Sequence, residues 1–182
     1  MKNRMEIKSM LAVILLVFTG CAPVISKGLR VQAANGPTFA EVLQNPDAHR
    51  GRVVVLGGVI IQAENRKEGT LIKVLQKPVD YTGQPWDTDR SGGRFLALYR
   101  GFLDVELFSK GRELTVAGTI MGKRALPLGE ITYEYPLVEV KEIHLWQERR
   151  EEYASPPPYW YYPPYDPWWW YHPYRHPHRY RR

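Results

Sequence analysis

The stretch Arg52-Val-Val-Val-Leu-Gly-Gly-Val-Ile-Ile-Gln62 decides the fold class. Its β-branched residues are stiff at χ1 and pack well on a pleated, half-buried surface, so the run predicts a long strand. The glycine pair at its centre predicts a bulge or sharp coil, the device by which small barrels turn a corner. Downstream, Thr70-Leu-Ile-Lys-Val-Leu75 reads as a second strand, reached through a turn between Asn65 and Gly69. Arg94-Phe-Leu-Ala-Leu-Tyr99 is a third, and Glu113-Leu-Thr-Val-Ala-Gly-Thr-Ile-Met121 a fourth with a mid-strand glycine at Gly118. Tyr135-Pro-Leu-Val-Glu-Val-Lys-Glu-Ile-His-Leu-Trp146 supplies a fifth and has the length for a sixth.

Upstream, Thr38-Phe-Ala-Glu41 has the form of a capping box, opening a helix that runs to Leu43 or Gln44 and stops before Asn45-Pro46. Short strands with internal glycines and one short helix predict a mainly β domain over residues 39–147. The architecture expected is a small, partly open antiparallel barrel of OB type, with a flat sandwich as the alternative. Phe95, Leu98, Val116, Ile120 and Trp146 are the expected core. Residues 21–38 lack periodicity and are punctuated by Gly28, Asn35, Gly36 and Pro37, which predicts a disordered tether.

The whole chain has 182 residues, enough for one ordinary domain. Its formal charge is +6, but between Ala22 and Ala154 there are 18 basic and 17 acidic residues, so the body is not a nucleic-acid-binding surface by charge. A single cysteine excludes a disulfide framework and a cysteine-based zinc site. Residues 1–20 have the layout of a signal peptide: Lys2, Arg4 and Lys8, then the apolar run Met10-Leu-Ala-Val-Ile-Leu-Leu-Val-Phe18. That run of nine residues cannot cross roughly 30 Å of hydrocarbon. Thr19-Gly20-Cys21 follows at once and resembles the lipobox of bacterial lipoproteins, with Phe18 standing where leucine is usual. The resemblance implies that Cys21 becomes a lipid-modified N-terminus. Ala22, in place of the aspartate that retains such proteins at the inner membrane, implies outer-membrane location. Several acyl chains on one cysteine meet the need for more than one chain in stable anchoring.

The C-terminal side changes composition. Residues 148–154 form a charged linker, and residues 155–182 hold eight prolines, three histidines, four arginines and four of the six tryptophans. Prolines at this density favour extended polyproline geometry, and without leucine, isoleucine, valine or phenylalanine the tail is expected to be disordered. Trp160, Trp168, Trp169 and Trp170, with Arg175 and Arg179, suit an envelope contact, because aromatic rings favour membrane interfaces and arginines pair with anionic headgroups. The candidate partners are anionic lipid, peptidoglycan or an envelope protein. His172, His176 and His178 form a weak metal-binding pattern with no preorganised geometry.

No catalytic constellation stands out. His49 and His144 are far apart and adjoin no nucleophile signature, and neither Gly57-Gly58 nor Gly92-Gly93 leads into a phosphate-binding helix. Asp87, Asp89 and Asp104 lack the spacing of a calcium loop. A series of elements from residue 39 to 146 is similar to the Slp family of outer-membrane lipoproteins. It comprises Phe39, Asn45-Pro46, Gly51, Gly57-Gly58, Gly69-Thr70, Gly93-Arg94-Phe95, Gly101-Phe102-Leu103-Asp104, Gly111, Gly118, Gly129-Glu130, Tyr133, Tyr135-Pro136 and His144-Leu145-Trp146. The resemblance implies location and anchoring and lends no reaction. The expectation is therefore a non-catalytic lipoprotein of the bacterial outer membrane, anchored through Cys21, needing no cofactor and binding no nucleic acid. The alternative is a barrel that binds a small ligand or acts as an enzyme, or a metal-binding tail.

Overall fold

The computed structural model describes residues 22–148. They form helices α1 (Lys27–Ala34) and α2 (Phe39–Gln44), a 3-10 turn (Pro46–His49) and five strands. The strands are β1 (Val53–Arg66), β2 (Gly69–Lys77), β3 (Gly93–Tyr99), β4 (Glu113–Leu128) and β5 (Ile131–Leu145). Their order is β1-β2-β3-β5-β4, and β4 returns to β1, so the sheet closes into a ring. The domain is mainly β, as expected. Closure is complete, where a partly open barrel was expected. One seam also departs from the antiparallel expectation: β3 and β5 run parallel, through Leu96↔Leu137, Ala97↔Val138 and Leu98↔Glu139. Residues 135–145 belong to one strand, with no break into a sixth.

Alternation along the strands sorts side chains into two layers. Leu56, Val74, Phe95, Val116, Ile120 and Val138 are among those that fill the ring, with Val42 of α2 in the same cluster. Leu71, Leu96 and Leu98 point the other way, and Tyr135 and Leu137 pack over them, with Leu126 and Tyr133 alongside. Of the five residues expected in the core, Phe95, Val116 and Ile120 are inside the ring. Leu98 belongs to the outer cluster. Trp146 is only half-buried, because its indole serves a polar contact described below.

The outer cluster exists because β4 and β5 are longer than expected, running on to Leu128 and starting from Ile131. The β4–β5 register shifts between Ile120 and Gly122, and Gly122 takes a φ of 101° that side-chain-bearing residues rarely adopt. Beyond it the hairpin becomes an arm over the outside of β2 and β3. The apolar cluster beneath holds it there, with an Arg124–Glu68 ion pair of 2.7 Å and the Lys73 ammonium 5.9 Å from the Tyr135 ring beside it. The Gly57-Gly58 pair is not a bulge. The β1 register shift lies between Ile60 and Gln62, while Gly57 and Gly58 make room for neighbours. A Cβ on Gly58 would run into the carbonyl of Leu75, and one on Gly57 into the side chain of Val79.

The capping box forms as expected. The Thr38 amide donates to Glu41 Oε2 at 2.7 Å and the Glu41 amide to Thr38 Oγ1 at 3.4 Å. The tether expectation fails for the described part of that segment. Residues 27–34 are helical, Ile25 is buried to 2% exposure, and α1 lies against β1. No residue of α1 is fully buried; Leu29 and Ala33, one turn apart, are half-buried, a stripe too short to announce a helix in the sequence.

Candidate functional site

The connection from β2 to β3 begins with a rigid ribbon, residues 78–86. Val79 bridges Pro85, the Trp86 amide donates to the Pro78 carbonyl at 2.8 Å, and the Asp80 amide to the Gln84 carbonyl at 2.9 Å. Inside this turn one carboxylate oxygen, Asp80 Oδ1, accepts from the Thr82 hydroxyl at 2.6 Å. The amides of Thr82, Gly83 and Gln84 donate to the same oxygen at 2.8, 3.0 and 3.0 Å. The Thr82 hydroxyl first, then these amides, hold the Asp80 carboxyl below its ordinary range. Asp80 followed by Gly83 is the sequence signal for such a turn, a local one that the strand pattern does not carry.

The ribbon lies across β1 and β4. The fully buried Thr115 hydroxyl donates to the Gly83 carbonyl at 2.5 Å and accepts from Trp146 Nε1 at 3.0 Å. The N-terminal segment joins at the same place: the Val24 amide donates to the Thr82 carbonyl at 3.1 Å. Two residues on, the Ser26 amide donates to Glu142 Oε2 at 2.8 Å. Hydrogen bonds from the Ser26 side chain and amide hold the Glu142 carboxyl below its ordinary range. Thr82, Gly83 and Thr115 are thus the meeting point of the segment that follows Cys21 and the strand that leads into the tail.

Between α1 and the ribbon is a groove of about 400 Å³ lined by Ile25, Ala33, Phe39, Val55, Val79 and Tyr81, among others. Its charged members hold backbone. Arg30 Nε donates to the Ile25 carbonyl at 3.0 Å, and Asp80 is taken up by the turn. His144 stacks edge-on to Trp146 with centroids 4.6 Å apart, and His49 closes the 3-10 turn, so the two are not brought together. Among the described residues no three histidine, cysteine or acidic side chains gather as metal ligands. Cys21, Trp160, Trp168, Trp169, Trp170, His172, Arg175, His176, His178 and Arg179 lie outside the described residues.

Residues 18–175 match the outer membrane lipoprotein Slp family. The chain belongs to that family. The match starts before Cys21 and continues past the barrel into the tail, a wider span than the barrel elements alone suggest. An uncharacterised protein of Haemophilus influenzae is 30% identical over 130 residues, 70% of this chain and 69% of its own length. Outer membrane protein Slp of Escherichia coli is 29% identical over 112 residues, covering 62% of this chain and 59% of that protein. The uncharacterised Escherichia coli lipoprotein YeaY is 26% identical over 131 residues, 72% of this chain and 67% of its own length. As a Slp-family member this chain is an outer-membrane lipoprotein. No helix among the described residues is long and apolar enough to cross a membrane.

Proposed function

We propose that this Slp-family protein is a non-catalytic envelope platform, with Cys21 carrying the lipid and the tail, residues 155–182, contacting an envelope component. The observation behind this reading is the convergence at Thr82, Gly83 and Thr115. There the segment next to Cys21 and the strand next to the tail are tied to one rigid ribbon. Both ends of the described segment therefore meet at one patch. The groove favours structure over chemistry, since Arg30 and Asp80 are engaged with their own backbone. In the tail, Trp160, Trp168, Trp169 and Trp170 with Arg175 and Arg179 supply aromatic and cationic contacts for a lipid or glycan surface. The test is acyl labelling and membrane fractionation of Cys21→Ser. Loss of label with release from the outer membrane, or an uncleaved precursor, is expected; normal processing and location would overturn the anchor.

A further inference from the structure

The described part of the segment after Cys21 is docked, and very little chain separates the two. Only Ala22 and Pro23 stand between Cys21 and Val24, and three residue steps reach at most about 11 Å. Val24 is bonded to Thr82, whose neighbour Tyr81 is 75% exposed; Trp86, at the other end of the same ribbon, is 55% exposed. The polar layer of a bilayer is itself about 5–8 Å deep on each side. A cysteine whose acyl chains enter the hydrocarbon therefore holds the ribbon at the lipid surface. We infer that residues 78–86 rest on the leaflet that carries the anchor, with the Tyr81 and Trp86 rings among its headgroups. This inference rests on the reading of Cys21 as lipidated.

Three observations support the lipid surface as the occupant. Tyrosine and tryptophan are the side chains that favour this layer, each with an apolar body and one polar group for water or headgroup. The ribbon is already ordered by the Asp80 turn and the Val79–Pro85 bridge, so little conformational freedom is lost on contact. Position, and not exposure alone, selects these residues. Phe102 is 80% exposed, but it follows Gly101, whose carbonyl accepts from the Thr70 amide at the opposite end of β2. At about 3.3 Å per residue, the strand Gly69–Lys77 separates the two ends by about 26 Å.

Cys21 is the one cysteine of the chain, and acylation blocks its sulfur, so an introduced cysteine takes a nitroxide label alone. Tyr81→Cys, Trp86→Cys and Phe102→Cys would be made in the full acylated chain and reconstituted in phosphatidylethanolamine–phosphatidylglycerol liposomes. Collisions with a water-soluble nickel chelate are then measured on floated protein. Labels at 81 and 86 are expected to lose collisions severalfold relative to the label at 102. Equal collision rates at 81 and 102 in floated, acylated protein would overturn the ribbon contact and leave the anchor standing. An N-terminal peptide without added lipid mass, in protein that does not float, overturns the anchor reading and this one with it.

Discussion

The Trp146 indole donates to the Thr115 hydroxyl at 3.0 Å, and that hydroxyl in turn donates to the Gly83 carbonyl at 2.5 Å. One buried oxygen thus ties the last residues of the barrel to the ribbon and, through Thr82, to the N-terminal segment. Thr115→Val keeps the shape and removes the oxygen, leaving two polar groups unpaired at a cost of about 1–3 kcal/mol each at most. Thr115→Ser keeps the hydroxyl and loses one methyl, about 1 kcal/mol. Urea denaturation should rank Ser above Val. A Val variant as stable as the parent would mean that the relay contributes nothing.

Two glycines should respond in opposite directions to the same substitution. Gly58→Ala drives a Cβ into the Leu75 carbonyl and should destabilise by about 1–3 kcal/mol. Gly28 lies within α1 with nothing near its missing Cβ, so Gly28→Ala should stabilise by about 0.5–1 kcal/mol. Thermal midpoints of the two variants check both signs.

The Tyr135 hydroxyl, carried on the arm, is buried and has no hydrogen-bond partner among the described residues. Burying an unpaired hydroxyl costs about 1–3 kcal/mol, so Tyr135→Phe should be neutral or stabilising. The same ring lost altogether in Tyr135→Ala should cost about 3–5 kcal/mol. A large loss in the Phe variant, read by denaturation, would show that the hydroxyl has a partner after all.

Acid should loosen the junction before the barrel. Asp80 and Glu142 both titrate lower when folded than unfolded. Their stabilising contribution is therefore complete above the ordinary values of 3.8 and 4.5 and is lost as pH falls through the lowered ones. Amide exchange at Val24 and Ser26 should accelerate in that acid range while β1 stays protected. Asp80→Asn keeps an acceptor for the turn but has no charge to titrate, so the acid dependence at Val24 should shrink.

How much of this was legible depended on whether a feature leaves an apolar trace. The β-branched runs announced five strands because their side chains alternate between two buried layers. The capping box was legible because Thr38 and Glu41 act within four residues of each other. Helix α1 was not, since it buries no residue fully and depends on Ile25 and on the Arg52 side chain reaching the Asn35 carbonyl. The arm was hidden by Pro127, which argues against strand continuation yet lies within β4. Trp146 looked like core because indoles usually are; its donor is needed by Thr115. The ribbon could have been read from Asp80 and Gly83, but its attachment to Thr115 joins residues 32 apart and no local pattern encodes it.

The parallel seam has a kinetic consequence. β1–β2 and β4–β5 are hairpins closed by tight turns, whereas the seam must bring residues 96–98 to 137–139 through only three residue pairs. The β1–β4 line joins residues still farther apart in the chain, 53–59 to 113–119, but through seven pairs, so of the two lines that close the ring the parallel seam has the fewer ladder pairs to offset its loop. Its neighbour, the exposed Arg100–Glu139 ion pair at 2.5 Å, adds little to hold it. The ring thus closes along two long-range lines, and it is expected to open first at the shorter one, along Leu96, Ala97 and Leu98.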